Sequence, residues 1–161
     1  MPVANWRSGR PVDPKRLAAF ETSRGIIFPP AYKAIVALHD GACPEPDNVA
    51  FRDDRFSTGY DVIGIGQLYP FGENEDGGWT IDEANDQYRA VFPGLVFISE
   101  CANGWSFALD YAPGKDEPPV VLVRFGIHDQ GSVVEVAQSF EKLLAGVLED
   151  DCRPATMPNL V

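Results

Sequence analysis

Leu95-Val96-Phe97-Ile98-Ser99-Glu100-Cys101-Ala102-Asn103-Gly104-Trp105-Ser106-Phe107-Ala108-Leu109-Asp110-Tyr111 is the stretch that decides the fold. Its first four residues form an apolar run of strand length. Asn103-Gly104 supplies the backbone freedom that a tight hairpin turn requires. Beyond the turn, Trp105, Phe107, Leu109 and Tyr111 alternate with Ser106, Ala108 and Asp110, a period of two that sets the large side chains on one face of a strand. The segment reads as a β-hairpin with its apolar face on a core.

Further strands are expected on both sides: Val49-Ala50-Phe51, then Val62-Ile63-Gly64-Ile65, then residues 120–125, with a last one at 133–136. The glycines of the second mark a bulge or bend. Helices come first and last. Asp13-Pro14 reads as an N-cap followed by proline in the first helical position, and Gly25 as the stop. A second helix starts at Pro29-Pro30, carries Tyr32, Ile35 and Val36, and ends at Asp40-Gly41. Thr80-Ile81-Asp82-Glu83 has the form of a capping box that opens a short helix to about Ala90. Phe140, Leu143, Leu144, Val147 and Leu148 make one apolar stripe, read as a closing helix. This order predicts an α+β fold, a twisted antiparallel sheet with helices packed mainly on one face. Residues 1–12 are expected to be an arm, 13–150 a single domain and 151–161 a tail.

Composition narrows the function. With 24 acidic and 13 basic residues among 161, the net charge is −11. A field of that sign repels phosphate backbones and anionic lipid, which argues against direct nucleic-acid or membrane-surface binding, and it would steer a cationic partner inward; the alternative reading is a solvated acidic face that serves solubility alone. The charge is uneven: residues 1–33 hold six bases and two acids, residues 40–117 sixteen acids and four bases. Cys43, Cys101 and Cys152 have neither disulfide nor zinc spacing, no export signal or membrane span is visible, and a reducing cytoplasm is expected.

Three segments together resemble the SUKH superfamily, the fold of the Smi–Knr cell-wall assembly regulator and of many bacterial immunity proteins. Phe28-Pro29-Pro30-Ala31-Tyr32-Lys33-Ala34-Ile35-Val36, continuing to Asp40-Gly41-Ala42, resembles the Leu-Pro-x-x-Tyr helix that usually ends in Asn-Gly-Gly. The hairpin is similar to the central hairpin of that superfamily, with Asp110 at its exit. Val134-Glu135-Val136-Ala137-Gln138-Ser139-Phe140-Glu141-Lys142-Leu143-Leu144 resembles its closing Ala-x-Ser-Phe-x-x-Phe-Leu helix. The departures are Phe28 for leucine, Asp40 for asparagine and Ala42 for the second glycine. The resemblance implies binding without chemistry: an immunity protein that neutralises a cognate toxin, or a regulatory adaptor without one.

Signals for catalysis are few. His39 and His128 stand far apart in sequence, and neither His39 with Cys43 nor His128 with Asp129 completes a site. Gly64-x-Gly66 lacks the third glycine and following helix of a dinucleotide loop. Calcium would need a twelve-residue loop with alternating ligands, which the carboxylates do not form. An enzyme acting through clustered carboxylates is the remaining catalytic alternative. No cofactor or metal is expected.

The binding reading falls on the acidic middle of the chain. Residues 73–86 hold Glu73, Glu75, Asp76, Asp82, Glu83 and Asp86 with no base among them, and Trp79 in their midst. Asp53, Asp54 and Asp110 extend the candidate surface. A basic toxin domain, such as a nuclease, is the expected partner, met by an apolar anchor with charge around it. Trp79 carries two readings, that exposed anchor or a staple packed against the start of the helix.

Overall fold

The computed structural model describes residues 5–53, 55–112, 117–126 and 132–148. Nine strands and four helices occupy them, in the order β1 (Asn5–Arg7), α1 (Pro14–Arg24), α2 (Pro30–His39), β2 (Cys43–Glu45), β3 (Asn48–Arg52), β4 (Tyr60–Leu68), α3 (Ile81–Tyr88), β5 (Leu95–Cys101), β6 (Ser106–Asp110), β7 (Val120–Val123), β8 (Val133–Ala137), α4 (Phe140–Ala145) and β9 (Val147–Leu148). The main sheet is antiparallel, in the order β8-β7-β6-β5-β4-β3-β9. It curls until β8 and β3 approach each other. Among the described residues no helix is long and apolar enough to cross a membrane.

The helix ends follow local chemistry. Asp13 accepts the amide of Lys15, Pro14 presets the first turn of α1, and Gly25 closes it at φ 66°. Thr80 and Glu83 exchange the two bonds of the capping box at the start of α3. Helix α2 buries Tyr32, Ile35 and Val36, and Ser139 caps α4 by accepting the amide of Lys142. Phe20 of α1, Phe28 and Tyr32 around the start of α2, Phe140 of α4 and Phe71 meet in one aromatic cluster. A second cluster joins Tyr88, Phe92, Phe97 and Phe125.

Three local features differ from the sequence expectation. Within the expected arm, Asn5–Arg7 form a short strand, β1, which pairs with Cys43–Glu45 of β2. The stripe from Phe140 does not continue as helix. The amide of Gly146 closes α4 on the carbonyls of Lys142 and Leu143, and Val147 and Leu148 then pair with β3. In β6 the small residues Ser106 and Ala108 are as deeply buried as Phe107 and Leu109, so the alternation sorts side chains by size, not by exposure.

Of the two glycines of β4, Gly66 sits at a bulge, whereas Gly64 pairs in regular register with Asn48. The register with β5 shifts between Ile65 and Leu68, and a Cβ on Gly66 would stand 3.0 Å from the Glu100 carbonyl oxygen. After β4 ends, the exposed edge of β5 is taken over by α3. The Asn85 side chain donates to the Phe97 carbonyl and accepts its amide, as a neighbouring strand would. This contact fixes α3, and the loop before it, against the sheet.

Candidate functional site: an acidic loop and the polar cleft beside it

Residues 72–79 form a loop pinned from within. Asn74 and Gln67 exchange side-chain hydrogen bonds at 3.1 and 3.3 Å, and Asn74 also donates to the Trp79 carbonyl and accepts the Asp76 amide. Gln67 further donates to the Gly41 carbonyl and to Asp76. The loop is thereby tied both to β4 and to the end of α2. Its carboxylates Glu73, Glu75 and Asp76 are exposed, as are Asp82, Glu83 and Asp86 on the helix that it feeds.

The fold brings bases to these acids that the local sequence lacks. Arg24 of α1 reaches Asp86 at 2.9 Å and Asp82 at 3.6 Å, and Arg10 of the arm pairs with Glu75. Arg7 pairs with Glu45 of β2. The basic beginning of the chain thus covers part of its acidic middle. Glu73, Asp76 and Glu83 make no ion pair among the described residues.

Trp79 is neither fully exposed nor packed against the first turn of α3; it leans on Tyr88, the last residue of that helix. Its ring packs on Tyr88 at a centroid distance of 5.8 Å, and 40% of its surface stays exposed. Tyr88 in turn stacks on Phe125 at 4.5 Å. The exposed Trp79 edge therefore stands on a rigid aromatic stack.

Asp53, Asp54 and Asp110 lie elsewhere or outside the description. Asp53 is buried, where its carboxylate holds the buried Arg124 and the part-exposed Arg55. The Arg124 guanidinium also lies 6.0 Å from the centre of the Trp105 ring. The charge of Asp53 is spent inside the fold. Asp110 accepts the Ala112 amide in a turn. Asp54, and His128 with Asp129, fall outside the described residues.

Between the arm and the acidic loop lies a polar cleft of about 480 Å³. Ser8, Gly9 and Arg10 form one wall and residues 72–76 the other, with Asp40, Gly41, Gln67 and Pro70 between them. Gly9 lets the arm approach closely: its φ is 78°, and a Cβ there would stand 2.8 Å from the Asp40 carbonyl oxygen. The arm is held by paired backbone bonds between Arg10 and Asp40.

Asp40 is the unusual group of this cleft. It is 8% exposed, and its Oδ2 accepts the Phe71 amide at 3.0 Å. Its Oδ1 and the hydroxyl of Tyr32 are the buried side-chain atoms without a hydrogen-bond partner among the described residues. Burial pushes the Asp40 carboxyl up to about 6, against the pull of the Phe71 and Gly41 amides. Burial, reinforced by the Asp40 charge, also raises the Tyr32 phenol. Sequence reasoning treated both positions as packing. The available signal was the acid at a helix end where the resemblance leads one to expect asparagine.

Among the described residues no three His, Cys, Asp or Glu side chains are grouped to hold a metal ion. His39 stacks on Trp6. Burial raises the Cys101 thiol far above its usual range, which keeps it protonated and unreactive.

The SMI1 / KNR4 family (SUKH-1) profile matches residues 11–146. The chain belongs to that family. No curated protein matches the sequence. Membership supports a protein-interaction domain, in a family whose members are generally non-catalytic immunity or regulatory domains.

Proposed function

On the premise of that SUKH-1 membership, we propose that this domain is an immunity protein, which binds and neutralises a cationic toxin domain in the cytoplasm. The observation that carries the reading is the acidic loop and its helix. Glu73, Asp76 and Glu83 are exposed and have no basic partner among the described residues, around a Trp79 that stands half out of an aromatic stack. A tryptophan anchor already held in place loses little freedom on binding, and the surrounding carboxylates steer a basic surface toward it. A nuclease fits this partner chemistry, because its own substrate site is built for phosphate anions.

The test is to isolate the partner by co-purification from the native host and to identify it by mass spectrometry. A toxin encoded beside this chain is the expected result. Binding is expected to be nanomolar, and Trp79→Ala to weaken it about 10- to 100-fold. A partner without toxic activity, bound through the same face, would instead identify a regulatory adaptor.

A further inference from the structure

We infer that the arm carries a built-in competitor of the partner: Arg10 occupies Glu75 of the acidic loop, and a basic group of the partner must displace it to use that carboxylate. The inference rests on the protein-binding reading above and names a regulation of the same face.

Both halves of this ion pair are set in place before it forms. Arg10 exchanges two backbone hydrogen bonds with Asp40, at 3.0 and 2.8 Å. Its neighbour Gly9, at φ 78°, lets the arm lie close to Asp40 and Ala42. Strand β1 adds three residue pairs with β2 and the Arg7–Glu45 bridge. Glu75 stands in a loop that Gln67 and Asn74 fix from within. An exposed ion pair between two free side chains contributes little, because ordering both offsets the attraction. Here both backbones are held, so the guanidinium stays at high effective concentration beside the carboxylate.

The pair is reachable as well as preset. Each of its side chains is 68% exposed, so an incoming cation can meet Glu75 directly. Arg10 can then swing into solvent without losing its backbone bonds. The masking is selective. Of the loop carboxylates Glu73, Glu75 and Asp76, Glu75 alone has a basic partner among the described residues. The other two steer the first encounter, and Glu75 opens only to a group that outcompetes Arg10. A partner with one weakly held cation gains nothing there, whereas one that offers a guanidinium or several ammoniums gains a third carboxylate. A pair that merely fastened the arm would predict lower stability for Arg10→Ala and no gain in binding.

The test is a double-mutant cycle in the full chain: wild type, Arg10→Ala, Glu75→Ala and the two combined, with Arg52→Ala as a charge-matched control. Arg52 faces Tyr60 at the end of β4 remote from Gln67, roughly 23 Å away along the strand. Kd values are measured by calorimetry at low salt for an octa-arginine peptide and for the co-purified partner. Arg10→Ala should tighten both about 2- to 5-fold, and more than Arg52→Ala does. The gain should shrink when residue 75 is alanine, because nothing is left to unmask. In the labelled wild type the Arg10 Nε–H resonance should shift on adding the peptide, while the backbone amides of Arg10 and Asp40 keep their protection from hydrogen exchange. Arg10→Gln, which keeps part of the aliphatic stem, repeats the measurement should alanine disturb the arm.

A gain of equal size with and without Glu75, or one matched by Arg52→Ala, would reduce Arg10 to one positive charge among others and overturn the competitor. An unchanged or weaker Kd for Arg10→Ala would do the same. Where the two ligands differ, the partner decides. No binding of either ligand by any of these proteins would overturn the protein-binding reading itself, whereas binding that ignores Arg10 would overturn the competitor alone.

Discussion

Asp40 costs the fold stability whenever it is charged. Its folded-state carboxyl titrates at about 6, above the ordinary 3.8, so the folded chain holds this proton more tightly than the unfolded one. Stability from this group therefore rises as pH falls through 6 toward 4, by up to about 3 kcal/mol. Urea midpoints at pH 7.5 and 5.0 should show the gain, and Asp40→Asn should remove most of it while stabilising the protein at pH 7.5. A wild-type midpoint no higher at pH 5.0 would contradict the account. Arg124 presents the opposite case, a buried cation that already has its carboxylate in Asp53. Arg124→Met strands that acid beside Arg55 alone and should cost about 3–5 kcal/mol in urea unfolding, with much of the loss recovered on adding Asp53→Asn. A double variant as unstable as the single one would show that the pair itself is not what Arg124 supports. Neither role was legible in the sequence, because burial of a charged residue is decided by distant segments: Asp53 reads as surface until β7 delivers Arg124.

Elements governed by neighbouring residues were legible, and those governed by remote pairing were not. The caps of α1 and α3 and the Asn103-Gly104 turn are local devices, and each forms as its residues dictate. Strands β1, β2 and β9 have no apolar alternation of their own and exist because a partner strand passes by. The closing helix ends early for the same reason: pairing with β3 outweighs the helical spacing of Val147 and Leu148. Thr80→Ala removes one half of the capping box and should cost about 1 kcal/mol of stability. Gly66→Ala drives a methyl against the Glu100 backbone at the bulge and should cost about 1–3 kcal/mol. Thermal unfolding checks both, and an unchanged midpoint for Gly66→Ala would mean that β4 does not need its close approach to β5.

For the molecule as a whole, charge placement links fold to function. The sequence shows a basic beginning and an acidic middle, and the fold lays Arg10 and Arg24 across part of that middle. What remains is narrower than the full set of acids: Glu73, Asp76 and Glu83 beside Trp79, next to a cleft containing Asp40. The acidic loop and Trp79 were legible as a candidate site, because acids without local bases and a lone aromatic are visible in one dimension. The neutralising arginines, the withdrawal of Asp53 into the core and the cleft itself arise only when segments far apart in sequence meet. The most direct measurement of the central claim is the association rate with the purified partner, followed by stopped flow from 20 to 500 mM salt. The rate should fall steeply with salt for the wild type, and the paired reversal Glu73→Lys with Asp76→Lys should slow it at low salt and flatten its dependence. A wild-type rate indifferent to salt, or a reversal variant that associates as fast as the wild type, would contradict it.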